Sequence, residues 1–212
     1  METYRKSSYI TFLLSRMNPR QIFIYDDDDV EFSNLSGQLY SVKHMGQKKV
    51  NAIADVVHDF SNYYSVMTCP TKFTSDTPGG NIMISGFDNM EARYTFFNVW
   101  IKHIMGLSPE ERKNCLYIDA RLAAEEFQVF CFTGNDNYYQ DLYLKKYMFR
   151  DYQALATTCS YKQTSHCAMM VGSIVVNLFT NFIANTLNPV IPRDLPFKTY
   201  YDASLMFFKT ES

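Results

Sequence analysis

Residues 22–50 read IFIYDDDDVEFSNLSGQLYSVKHMGQKKV, and the first half of that stretch decides the fold. The apolar run Ile22 to Tyr25 stops abruptly at four aspartates, Asp26 to Asp29. A buried strand that ends in carboxylates delivers acid groups to the carboxyl edge of an open α/β sheet, the edge where such sheets bind ligands. The first carboxylate after such a strand commonly meets a ribose. Against this, no glycine precedes Gly37, so the Gly-rich phosphate turn, and the strand that leads into it, are absent from the pattern.

With 212 residues, 47% of them hydrophobic, the chain is long enough for one sizeable core and short for two. Twenty Lys and Arg against 22 Asp and Glu leave a formal net charge of -2 with no long basic block, which argues against a nucleic-acid partner. The longest largely apolar stretch, Ala168 to Val176, is soon broken by Asn177, Thr180 and Asn181. It falls short of the roughly 18 to 20 residues that span a bilayer, so neither a membrane helix nor a signal peptide is expected. The five cysteines are odd in number and include no C-x-x-C pair, which speaks against a disulfide framework or a structural zinc and for a reducing cytosol. Aromatic residues reach 16%, a surplus that composition alone leaves open between interface surface and coding bias.

Outward from the opening stretch, periodicity predicts a helix over 7–17, ended by Asn18-Pro19, and a second over 47–60 through Val50, Ile53, Val57 and Phe60. Strands are predicted over 65–73, interrupted by Pro70, and over 81–87 after the turn Pro78-Gly79-Gly80. A helix from Asn89 to Met105 and a strand Leu116 to Ala120 follow, and Phe127 to Phe132 alternates as an antiparallel partner would. Residues 134–150 are polar and Tyr-rich. Ala168 to Ile183 is apolar on most faces and should lean on the sheet. Three prolines then lead into Phe197 to Phe208, where Asp202-Ala203 turns a terminal hairpin.

In a doubly wound sheet Asp26, Asn34, Lys49 and Asp88 converge on one edge, because each follows a parallel strand or opens the next helix. Asp26 can accept ribose hydroxyls, Lys49 can oppose phosphate, and Asp88 can hold a metal-bound triphosphate. Each has a plainer alternative: the acidic run as a solvated turn, Lys49 as a surface residue, Asp88-Asn89 as a helix cap, and Arg93 as a local partner of the Asp88 carboxylate.

The pieces Asp26-x-Asp28-x-Val30-x-x-Ser33-Asn34-Leu35-x-x-Gln38, Gly46-Gln47-Lys48-Lys49, Asp88-Asn89 with Arg93, and Ile118-Asp119-Ala120-Arg121 together resemble the ThiF-type adenylyltransferases, the superfamily of sulfur-carrier and ubiquitin activators. The resemblance implies a Rossmann-like α/β domain over 1–186, its mostly parallel sheet lacking the first strand, and a C-terminal extension with a β-hairpin over 187–212. It also implies ATP and magnesium as cofactors and adenylation of the C-terminal glycine of a ubiquitin-like or sulfur-carrier protein. Asp26 then corresponds to the ribose-binding residue, Asn34 to a nucleotide-pocket residue, Lys49 to the phosphate-binding lysine and Asp88 to the magnesium-associated catalytic aspartate. Cys159, in a polar segment with Lys162, is the candidate acyl-accepting thiol, its alternative being a small apolar filler.

Two departures temper the activity that the resemblance implies. Gly37 stands where the family pattern has an arginine, and METYRK stands where the first strand and its glycine turn belong, so Tyr4, Arg5 and Lys6 would crowd the anion site. The expectation is an impaired enzyme, or one completed as a homodimer or hetero-oligomer by another chain. An inactive scaffold of the same fold is the competing reading. A dinucleotide oxidoreductase would need the same absent turn.

Overall fold

The computed structural model describes residues 2–3, 8–149 and 164–212. Eight strands form one sheet in the order β3-β2-β1-β4-β5-β6-β7-β8. They are β1 (Glu2–Thr3), β2 (Ile22–Tyr25), β3 (Val66–Cys69), β4 (Ile82–Ser85), β5 (Leu116–Leu122), β6 (Glu126–Thr133), β7 (Lys198–Asp202) and β8 (Phe207–Glu211). The first five are mutually parallel, β6 turns antiparallel onto β5, and β7 and β8 extend that edge as a hairpin. This is the doubly wound sheet with a C-terminal hairpin that the sequence implies.

The first strand is reduced to two residues rather than lost. Glu2 and Thr3 pair with Phe23 and Ile24 on one side and with Met83 and Ile84 on the other. The slot that the sequence pattern leaves for another chain is thus partly occupied from within. Ladder hydrogen bonds use main-chain groups, so a segment without an apolar run can form them, and hydrophobic patterning has no access to such a strand.

Helices cover both faces. On one lie α1 (Ser8–Ser15), α2 (Lys49–Ser61) and α6 (Ser165–Leu187); α3 (Met90–Met105) and α5 (Asn137–Leu142) lie on the other, with the single turn α4 (Pro109–Arg112) at the end of α3. Period-two alternation assigns each side chain of the central strands to a face. Leu116, Ile118, Ala120 and Leu122 of β5 join Phe127, Val129 and Cys131 of β6 beneath α1 and α6. Tyr117, Phe130 and Phe132 face α3 instead, where Phe96, Phe97, Trp100, Tyr143 and Phe197 complete an aromatic core. Much of the aromatic surplus therefore sits inside. The 23-residue α6 is longer than its apolar run predicts, and length and composition would suit a membrane span, yet it packs on α1, β5 and β6 with Cys167, Val171, Val175 and Phe179 buried.

One ion cluster lies inside the aromatic face. Asp119 is fully buried on β5, and Arg93 reaches it from the core stripe of α3. That stripe runs Arg93, Phe96, Phe97, Trp100 and Ile104, the spacing of a single helix face. The other carboxylate oxygen accepts from Arg121 Nε at 2.6 Å and from the Tyr143 hydroxyl at 2.9 Å. Burial alone would raise the Asp119 pKa, but the two guanidinium groups hold it below the usual carboxylate range. Arg121 goes on to the Tyr147 carbonyl at 2.8 Å and so ties the π-helical turn Tyr143–Tyr147 to the sheet.

Removing the charge with Asp119→Asn would leave the buried Arg93 and the half-buried Arg121 without their counter-ion, at a cost of about 3–5 kcal/mol. Because the folded pKa is depressed, the contribution is complete above the unfolded carboxylate value near ~3.9 and lost as pH falls through the lower folded value. Urea denaturation should accordingly show a gap between wild type and variant that is wide at pH 7 and narrows on acidification below about pH 4. A gap that stays constant through the acid range would contradict the cluster. A second stability test concerns Gly134, where an added Cβ would lie 2.5 Å from the Arg112 carbonyl oxygen. Gly134→Ala should therefore destabilise by about 1–3 kcal/mol in the same assay.

Candidate nucleotide site

The reversal of strand order around β1 brings the carboxyl ends of β2 and β4 to either side of a two-residue strand, and a cleft opens there. It measures about 360 Å³ and is lined by Asp26 and Asp27 after β2, Thr71, Lys72 and Phe73 after β3, and Phe87, Asn89, Glu91, Ala92 and Thr95 after β4. Phe73 and Phe87 both meet Phe96 edge-on, with ring centroids 5.0 and 5.4 Å away, so the core fixes these two aromatic walls.

The four aspartates are not an open acidic turn. Asp27, Asp28 and Asp29 each face a lysine: Lys72 at 3.9 Å, Lys49 at 2.8 Å and Lys48 at 2.9 Å. Asp26 is buried, and its Oδ1 accepts from the Asp28 backbone N–H at 2.9 Å, which turns the chain and aims the following carboxylate at Lys49. Asp26, Asp28 and Lys49 thus form one connected group. The Tyr40 hydroxyl stands above it, donating to the Lys49 carbonyl at 3.4 Å. Burial first, and then the charges of Asp26 and Asp28, push its pKa up, so the phenol keeps its proton.

Lys49 is buried at the first turn of α2, not a surface residue. Asn34 serves its own turn, where its Oδ1 accepts from Glu31 N–H at 2.9 Å and closes the 3-10 segment Phe32–Asn34. Neither residue lines the cleft. Asn89 caps α3, accepting from Ala92 N–H at 2.8 Å, while Asp88 is exposed and faces a second cleft of about 300 Å³ with Arg121, Glu126, Phe127, Gln128 and Phe149. The corner Asp88-Asn89 therefore separates the two clefts. Arg93 turns onto Asp119 and the Phe87 carbonyl, which corrects the expectation that it pairs with Asp88. Cys159, Lys162, Tyr4, Arg5 and Lys6 lie outside the described residues. Cys167 is buried and its neighbour His166 exposed, so the two face apart.

The donor set fits a nucleoside: aromatic walls for a base and a carboxylate for ribose hydroxyls. A magnesium ion, which keeps several waters and takes one or two carboxylates beside substrate phosphates, fits the exposed Asp88 better than Asp26 to Asp28. Those three carboxylates approach one another within 4.8 Å, yet Lys49 and Lys72 already supply positive charge there.

No curated protein matches the chain by sequence alone. Among solved structures, PaaA superposes with a TM-score of 0.68 at 14% identity, covering 100% of this chain and 71% of that one. MccB of E. coli superposes at 0.69 with 13% identity and 100% and 62% coverage, and its ATP-bound form at 0.64 with 14% identity, 100% and 62%. The chain thus spans under two thirds of the length of MccB. These likenesses concern the fold. The ThiF family model matches residues 8–210, nearly the whole described chain from α1 through β8 and both clefts, and on that match the protein belongs to the ThiF family.

Proposed function

We propose that the protein binds ATP in the Asp26 cleft and transfers AMP to the terminal carboxylate of a peptide or protein acceptor that enters along the Asp88 cleft. The observation that carries this reading is the Asp26 cleft itself, lined by that carboxylate and by two aromatic rings packed on Phe96 at the strand-order reversal. Family membership supports ATP as the nucleotide, and the family's C-terminal glycine acceptors, ubiquitin-like or sulfur-carrier proteins, set the finer proposal. MccB has been solved with ATP and, separately, with MccA, which keeps a shorter acceptor within the same proposal.

In the reaction, an acceptor carboxylate oxygen attacks the α-phosphorus, the α–β phosphoanhydride bond breaks, and pyrophosphate leaves with the electron pair. Asp26 accepts the ribose hydroxyls and fixes the nucleoside. Lys72 at the mouth and Lys49 behind Asp28 provide positive charge toward the phosphates. Asp88 would hold magnesium, whose charge offsets that of the departing pyrophosphate. Asn34 keeps its turn in place behind the site, and Cys159 is proposed as an acceptor of the activated acyl group after adenylation.

A second reading, the inactive scaffold, is favoured by two observations: the Lys49 amine is already engaged by Asp28, and Gly37 stands where the family has an arginine. Calorimetry with MgATP separates the two, since a scaffold shows no binding. Under the adenylation reading, Asp26→Asn should weaken MgATP binding about 10- to 100-fold, the worth of hydrogen bonds to a charged group. Asp88→Asn should leave MgATP binding within about threefold yet lower acceptor-dependent ATP–pyrophosphate exchange by about 100-fold. Equal losses of binding in both variants would contradict the division of roles between the clefts.

A further inference from the structure

We infer that Arg93 is a positioning residue that fixes the Asp88-Asn89 corner, and with it the wall shared by the two clefts. The inference rests on the reading of those clefts as nucleotide and acceptor sites.

The sheet ceases to hold the chain before that corner is reached. The β4 ladder ends at Ser85, opposite Asp119, and β1 reaches only Met83 and Ile84. Phe87 lies two residues beyond the last ladder pair, and its carbonyl takes Arg93 Nη2 instead of a strand partner. Nη1 of the same guanidinium meets Asp119 Oδ1. One planar fork thus connects the corner to the centre of β5, a connection that requires two separated donors on one rigid group.

Asp119 is in turn oriented by Arg121 and Tyr143, so the fork is held from behind as well. Downstream of the corner, Asn89 caps α3, and Asn89, Glu91 and Ala92 form a wall of the Asp26 cleft, while Asp88 faces the other cleft. A shift of the Phe87 carbonyl therefore moves ligand-facing groups on both sides. Arg93 borders the Asp88 cleft, but its Nη atoms are spent on Asp119, Phe87 and the Ala120 carbonyl, so in this reading it acts by holding the corner and not by pairing with a ligand.

Arg93→Lys tests the point, since an ammonium can keep Asp119 company but cannot fork to Phe87. Amide hydrogen exchange should show protection of the Ala92 N–H, which the Asn89 cap holds, falling about tenfold while the interior of α3 and β5 keeps its own, the mark of local opening. The MgATP dissociation constant should rise about tenfold in step. Protection unchanged at the Ala92 N–H, or lost evenly across α3 and β5, would overturn the inference and leave Arg93 a stability residue. Should wild type fail to bind MgATP, the nucleotide reading falls, and the exchange pattern still decides whether Arg93 anchors the corner. If Arg93→Lys does not fold, wild-type NMR takes its place: slowly exchanging Arg93 Nη protons coupled through the hydrogen bond to the Phe87 carbonyl are expected, and their absence would refute the anchor.

Discussion

Everything at the ligand edge depends on where the chain reverses its direction of travel across the sheet. The chain passes from β1 out to β2 and β3, then returns across to β4, so β1 has parallel neighbours on both sides. Right-handed crossovers then leave α1 and α2 on one face and α3 on the other, and the space between their ends cannot be filled by either layer. The cleft is a consequence of connectivity. Two residues of β1 are enough to set it, because the strand needs to separate β2 from β4 and to contribute main-chain hydrogen bonds, not side chains.

The two carboxylate groups near this edge solve opposite electrostatic problems. Asp119 is entirely removed from water, a loss of several kcal/mol that only close counter-charges and hydrogen bonds offset. Arg93, Arg121 and Tyr143 supply both, from three separate elements, and the result is a rigid joint between α3, β5 and the π-helical turn. Asp27, Asp28 and Asp29 stay partly hydrated, and each has one lysine. A partly hydrated pair exchanges partners at low cost, whereas a buried one does not. The first cluster builds the edge and the second is chemically available at it.

Local pattern made the central elements readable. Ile22 to Tyr25 is a strand with the predicted limits, and α3 begins one residue after Asn89 because its cap is encoded in place. The Tyr-rich segment after Gly134 was harder: α5 and the π-helical turn are held by Tyr139, Tyr143 and Tyr147 against Phe130 and Phe197, contacts distant in sequence. Asp26 could be placed at the cleft because an acid directly after a parallel strand has only one edge to occupy. The burial of Asp119 and Arg93 was not legible, since each reads as a surface charge until the strand and the helix face each other. A single arginine on the apolar stripe of α3, at the spacing of Phe96, Phe97 and Trp100, was the signal that could have exposed it.

The pairing of Lys49 with Asp28 bears on whether the edge can act on phosphates at all. In the structure the ammonium is buried while the Asp28 side chain keeps 29% of its exposure, so the pair is asymmetric: the cation cannot leave, but the anion can turn toward water. Asp28 is the counter-ion that offsets the burial of the Lys49 ammonium. A triphosphate carries more charge than one carboxylate and offers the same acceptor geometry, so replacing Asp28 by a phosphate oxygen keeps the lysine paired and frees Asp28 to be hydrated. The Asp26–Asp28 backbone hydrogen bond sets the direction of that turn. Engagement of Lys49 by Asp28 is therefore a resting arrangement compatible with phosphate chemistry, and the heavier burden falls on Gly37, which has no side chain to supply the second cation.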